Sequence, residues 1–139
     1  MSGVESVLNA SKEKINEIFS RYDVIFAYLF GSQLSVEIGR LSDVDIAIYF
    51  DEALTKQERF NRMLKIGGEL SSLLKRDDID IVVLNDAYPL LAHRVIKQGK
   101  VIFSSDEKKR IDFEIRAVMN YLDFKPLLEK YTRETLYGR

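Results

Sequence analysis

Residues 30–50 read FGSQLSVEIGRLSDVDIAIYF, and this stretch organises the chain. The apolar run before it, Asp23 to Phe30 (DVIFAYLF), stops at Gly31-Ser32, and a second apolar run, Ile46 to Phe50, begins after Asp43-Val44-Asp45. In a strand, residues i and i+2 point to the same face, so Asp43 and Asp45 present two carboxylates side by side. Keeping both ionised is costly unless a cation sits between them. Hard oxygen donors of this kind suit Mg²⁺ or Mn²⁺.

Outward from this stretch, Asp23 to Phe30 carries too many apolar residues for alternation and reads as a central strand covered on both faces. Upstream, Val4, Val7, Leu8, Ile15, Ile18 and Phe19 predict one helix from about residue 4 to 21. Downstream, Thr55-x-x-Glu58 has capping-box spacing and opens a helical region to about Leu74. Phe60, Met63, Leu64, Ile66 and Leu70 form its expected inner side, and Gly67-Gly68 marks either close packing on the sheet or a break. Lys75 to Asp78 is a charged turn, and Ile79 to Leu84 (IDIVVL) is a third strand. Asp80 interrupts it, and a carboxylate within a short apolar strand needs a reason. Pro89 suits the start of a short helix, Leu90 to Gln98, that stops at Gly99, and Val101 to Phe103 reads as a short extended segment.

Ser104-x-x-Glu107 is a second capping-box pattern, opening the longest helical signal. Ile111, Ile115, Val118 and Leu122 form its expected buried stripe, with Phe113 off it, either widening the buried face or left for a partner. Pro126 is expected to interrupt or kink the chain after about Phe124. Residues 130–139 are polar with Tyr131, Leu136 and Tyr137 projecting, a tail either loosely docked or folded against a partner. The expectation is one small α/β (α+β) domain over residues 1–139, a short mixed sheet flanked by helices, with a C-terminal helical tail from about residue 105.

Composition sets the outer limits. The 139 residues are 46% hydrophobic and 31% charged, enough for a packed core in one domain. With no cysteine there is neither a disulfide framework nor a thiolate site. Basic and acidic side chains number 21 and 22, giving net charge -1, which argues against a nucleic-acid-binding module. The N-terminus lacks the apolar segment of a signal peptide and no run approaches a membrane span, so a cytoplasmic protein is expected.

A single sheet could set Asp80 beside Asp43 and Asp45. Three converging carboxylates are costly without metal and useful with it, since divalent ions activate a hydroxyl and neutralise a triphosphate. Nucleotidyl transfer needs chiefly alignment and charge neutralisation. Ser32 and the backbone N–H groups around Gly31 could hold phosphate oxygens.

With Gly31-Ser32, Ser42-Asp43-Val44-Asp45 and Ile79-Asp80-Ile81-Val82, the chain resembles the DNA polymerase beta-type nucleotidyltransferase superfamily. Its size, together with the stretches Asp80 to Asn85, Pro89 to Leu91, Gly99 to Phe103 and Tyr121 to Pro126, is similar to the minimal nucleotidyltransferases, antitoxin partners of HEPN-domain toxins. The resemblance spans roughly residues 23–135 and implies a nucleotidyltransferase fold. By it, Asp43 and Asp45 would bind two metal ions, with Asp80 as third ligand and orienter of the attacking hydroxyl. Gly31 and Ser32 would hold the nucleotide's phosphates. The implied activity is transfer of AMP from ATP to a tyrosine of a cognate HEPN ribonuclease, silencing it. Many relatives carry an Arg-Gly pair in the loop, where this chain has Ser35-Val36. Two other readings stay open: an antitoxin that works by binding alone, and a small-molecule nucleotidyltransferase, for whose acceptor pocket 139 residues leave little room.

Elsewhere the expectations are structural. His93, the one histidine, reads as a satisfied or surface helix residue, Tyr28 and Tyr49 as core aromatics, and Lys108-Lys109-Arg110 as a solvated face. Asp78 shares the strand face of Asp80 and is the weaker ligand candidate.

Overall fold

The computed structural model describes residues 3–31 and 44–136. Ser32, Ser35, Val36, Gly39 and Asp43 therefore lie outside the described residues. The order is α1 (Gly3–Ala10), α2 (Lys12–Arg21), β1 (Val24–Phe30), β2 (Val44–Phe50), α3 (Lys56–Leu74), β3 (Ile79–Val83), a single 3-10 turn (Leu84–Asp86), α4 (Pro89–Gln98), β4 (Lys100–Ser104) and α5 (Glu107–Leu136). Four strands form a mixed sheet in the order β3-β2-β1-β4. β1 pairs antiparallel with β2 and β4, and β2 pairs parallel with β3.

Alternation along β2 sorts the two sides of the sheet. Val44, Ile46, Ile48 and Phe50 join Ile15, Ile18, Phe19, Ile66 and Leu70 in a core under α2 and α3. Ala47 and Tyr49 join Phe26, Tyr28, Phe30, Val82, Val95, Phe113 and Ala117 in a second core under α4 and α5. β1 and β2 are thus covered on both faces, for β1 as its apolar content predicts. The aromatic centre of the second core is Phe26 stacked on Tyr49 at 4.7 Å, with Phe113 tilted against both.

Several local expectations are met. Thr55 Oγ1 accepts from the Glu58 N–H at 3.1 Å and Glu58 Oε1 accepts from the Thr55 N–H at 2.9 Å, closing the capping box. Pro89 stands in the first turn of α4. Gly99 stops α4 through close approach: a Cβ there would lie 2.4 Å from the Val95 carbonyl oxygen. Tyr28 and Tyr49 are core aromatics whose hydroxyls donate to Glu114 and Glu52.

Other expectations are corrected. The N-terminal helix is two helices separated at Ser11, whose N–H donates to the carbonyls of Val7 and Leu8. The bend lets Leu8 and Ile15 both reach the core. Of the two readings open for Gly67-Gly68, close packing is the one met: α3 runs unbroken through them, with Gly67 facing Ile81. Ile66 and Leu70 are its buried residues, while Phe60 and Leu64 face solvent. α5 continues through Pro126 to Leu136, so the proline costs one hydrogen bond within the helix and does not end it. Ser104 does not cap that helix from the backbone. Asp106 Oδ1 accepts from the Lys109 N–H at 3.1 Å, and the Ser104 hydroxyl donates to the Glu107 side chain.

The largest correction concerns the face of α5. Phe113 and Ala117 are buried, at 8% and 4% exposure, whereas Ile111, Ile115, Val118 and Leu122 are 39–57% exposed. The apolar stripe of the sequence points away from the domain. Arg110 also leaves the solvated face predicted for it. It pairs with Glu107 and with Glu114 at 2.7 Å, and Glu114 accepts the buried Tyr28 hydroxyl. Burial and this carboxylate push the Tyr28 hydroxyl's pKa up. Arg110 and Ser104 hold Glu107 down at about 2.

Candidate active site

β1 ends at Phe30, whose register partner on β2 is Asp45, and Asp45 in turn stands opposite Asp80 on β3. Phe30, Asp45 and Asp80 therefore form one row across three adjacent strands. Backbones of neighbouring strands lie about 5 Å apart, and parallel partners point to the same face. The two carboxylates are neighbours on the α4–α5 side of the sheet, where Ala47 and Val82 follow them. Gly31 comes immediately after this row, and a Cβ there would meet nothing within 4 Å. Packing does not demand glycine at that point.

Asp45 has 0% exposure and is the buried charged residue of the described core. Asp80 is half-buried on the edge strand of the sheet. Asp78, two residues earlier, is engaged elsewhere: Arg76 donates to both of its carboxylate oxygens, at 2.8 and 2.6 Å. Its carbonyl accepts from the Val44 N–H, which locks the start of β3 to the start of β2. The structure thus brings Asp80, and not Asp78, to Asp45. Among the described residues no three carboxylates or histidines gather as a metal site. The two paired aspartates offer hard oxygen donors of the kind a Mg²⁺-like ion takes, and Asp43 stands two residues before Asp45 in sequence. That donor set fits the ion.

The far end of β2 is built differently. The Asn85 side chain clamps the end of β2, donating to the Phe50 carbonyl at 3.0 Å and accepting its N–H at 2.9 Å. Arg59 donates twice to Asp86 and once to the Leu54 carbonyl. A cavity of about 350 Å³ opens there beside Tyr49, Arg116 and Asn120. It holds none of the predicted site residues. His93, on α4, stacks on Tyr121 of α5 with ring centres 3.8 Å apart, and burial with Lys97 and Lys125 nearby lowers its pKa. It has a packing role.

Residues 13–108 match the polymerase beta nucleotidyltransferase family. The chain belongs to this family. It is 31% identical over 109 residues to the protein adenylyltransferase MntA of Aphanizomenon flos-aquae, covering 71% of this chain and 69% of that protein. Two solved structures share the fold. A toxin–antitoxin structure with AMP-PNP has TM-score 0.67 and 24% identity, covering 90% of this chain and 98% of that one. An antitoxin in complex with a tri-AMPylated HEPN toxin of Shewanella oneidensis has TM-score 0.68 and 22% identity, over 92% and 98%. As a family member the chain is a nucleotidyltransferase, and its small mixed α/β domain is the nucleotidyltransferase fold. No helix among the described residues is long and apolar enough to cross a membrane.

The exposed stripe of α5 and the Tyr28–Glu114–Arg110 network are what the sequence reading missed. For the network the signal was available: Arg110 and Glu114 have the i, i+4 spacing of an ion pair.

Proposed function

We propose that this chain is a metal-dependent protein adenylyltransferase that transfers AMP from ATP to a tyrosine of a HEPN-domain toxin and so acts as its antitoxin. The observation that carries the reading is the Asp45–Asp80 pairing beside Gly31 in a member of the nucleotidyltransferase family. The kinship to a protein adenylyltransferase, and the neighbours solved with AMP-PNP and with an AMPylated toxin, support it.

In this reading Asp43, Asp45 and Asp80 would hold Mg²⁺ or Mn²⁺, which would supply charge neutralisation at the triphosphate and acidify a nearby hydroxyl. The N–H groups around Gly31 and the Ser32 hydroxyl hold phosphate oxygens. Asp80, on the open edge strand, orients the tyrosine hydroxyl and takes its proton. A bond forms from the tyrosine oxygen to the α-phosphorus, the bond to the β-phosphate oxygen breaks, and pyrophosphate leaves. The buried Asp45 keeps its orientation because β1 and β3 flank it.

A second reading, neutralisation by binding alone, is favoured by Ser35-Val36 standing where many relatives have Arg-Gly. One experiment separates them. The chain is incubated with its partner and ATP labelled at the α-phosphate, with Mg²⁺ or with a chelator. Label on the partner that is lost with chelator and with Asp43→Asn supports transfer. Full neutralisation of toxicity by Asp43→Asn without label sinks transfer in favour of binding.

A further inference from the structure

α5 is apolar on two sides where the domain does not cover it. Ile111, Ile115, Val118, Met119 and Leu122 are 39–59% exposed. At about 100° per residue they fall within one sector of the helix, opposite the sector of Phe113 and Ala117 that docks on the sheet. Farther along, Leu127 and Tyr131 are 64% and 67% exposed. By the same angle they lie on the Phe113 side, so there the inner side of the helix extends past the body of the domain.

The geometry points to α5 as the docking helix for the toxin, with both apolar sides held in an apolar groove of that partner; the assignment rests on the antitoxin reading above. The outer stripe alone runs about 17 Å, and five side chains fall short of the roughly 800 Å² per partner that a stable interface buries. A second copy laid along that stripe would leave Leu127 and Tyr131 in water. A groove that receives the helix over Ile111 to Tyr131, about 30 Å, covers both sides and reaches the required area. Charge argues for an uncharged groove. Lys108 pairs with Asp112 at 3.6 Å and Lys125 with Glu129 at 3.9 Å, so the margins of the stripe are neutralised within the helix itself. They offer no cationic excess to an anionic membrane or nucleic acid.

The test is co-purification and titration of the full chain with the HEPN-domain protein, alongside sedimentation of the chain alone. Ile115→Asp and Leu122→Asp test the outer stripe, and a Leu127→Asp, Tyr131→Asp double variant tests the second side. Circular dichroism melting checks that each variant stays folded. The expected result is a wild-type complex, with each variant weakened about 100-fold or more at unchanged melting temperature. A wild-type complex that all the variants match overturns the docking assignment and leaves the antitoxin reading intact. A wild-type chain that does not bind overturns both. If the chain alone sediments as a dimer that Ile115→Asp dissociates, while toxin binding persists, the stripe belongs to a second copy and the assignment is wrong.

Discussion

The aspartate-bearing end of the sheet and the long helix α5 obey their sequence patterns in opposite ways. At the sheet, the residues marked by pattern stand where the pattern puts them: Asp45 and Asp80 meet in register on parallel strands. On α5 the strongest periodic stripe faces solvent, and the residue off the stripe, Phe113, is the one that holds the helix down. A strand inside a sheet has its faces assigned by hydrogen-bonded neighbours on both sides, so alternation and position are tied together. A helix has no such constraint. Its apolar periodicity says that a face is covered, and not by whom.

The sharpest break in this comparison is chemical. Asp45→Asn and Asp80→Asn are each expected to lower adenylyl transfer about a thousand-fold or more, read as initial rate with labelled ATP. Asp78→Asn, which weakens the Arg76 pair, is expected to keep most of the rate. Equal losses from Asp78 and Asp80 would dissolve the distinction drawn from register.

Next in size is the split between the two sides of α5. Phe113→Ala removes a ring packed against Phe26 and Tyr49, and should cost about 3–5 kcal/mol in urea unfolding. Ile115→Ala, on the exposed stripe, should change stability by no more than about 0.5 kcal/mol. The reverse ranking would put the stripe back in the core. Gly99→Ala should cost about 1–3 kcal/mol, because its Cβ would press on the Val95 carbonyl.

The smallest effect is a pH dependence at the α4–α5 contact. Burial, then Lys97 and Lys125, lower the His93 pKa, so the folded state favours the neutral ring. That contribution is present above the ordinary pKa of about 6.5 and is lost as pH falls through the depressed folded value. Wild type should therefore lose a little melting temperature between pH 7 and 5, and His93→Phe should lose less. An identical slope in both would remove His93 from the account.

Much of the fold was legible in residues 23–31, 44–50 and 79–84, because continuous apolar runs interrupted by single aspartates leave few arrangements. The Thr55–Glu58 box was equally readable, being wholly local. The second box misled because the helix is capped two residues later, by Asp106, which takes the Lys109 N–H, while Ser104 closes β4. Phe60, Leu64 and the α5 stripe misled together: each has helical spacing, and spacing does not say which side meets the sheet. Pro126 suggested an end to the helix, yet a single lost hydrogen bond near an exposed terminus is cheap enough for α5 to continue. Of the candidate site, Gly31, Asp45 and Asp80 could be followed into the structure, while Ser32 and Asp43 lie outside the described residues.

The measurement closest to the central claim is the intact mass of the HEPN-domain partner after incubation with ATP, Mg²⁺ and either wild type or Asp80→Asn, with complex formation followed in the same samples. The account predicts one or more added AMP units with wild type, and none with Asp80→Asn although the complex still forms. Equal AMP addition by the two proteins would contradict it.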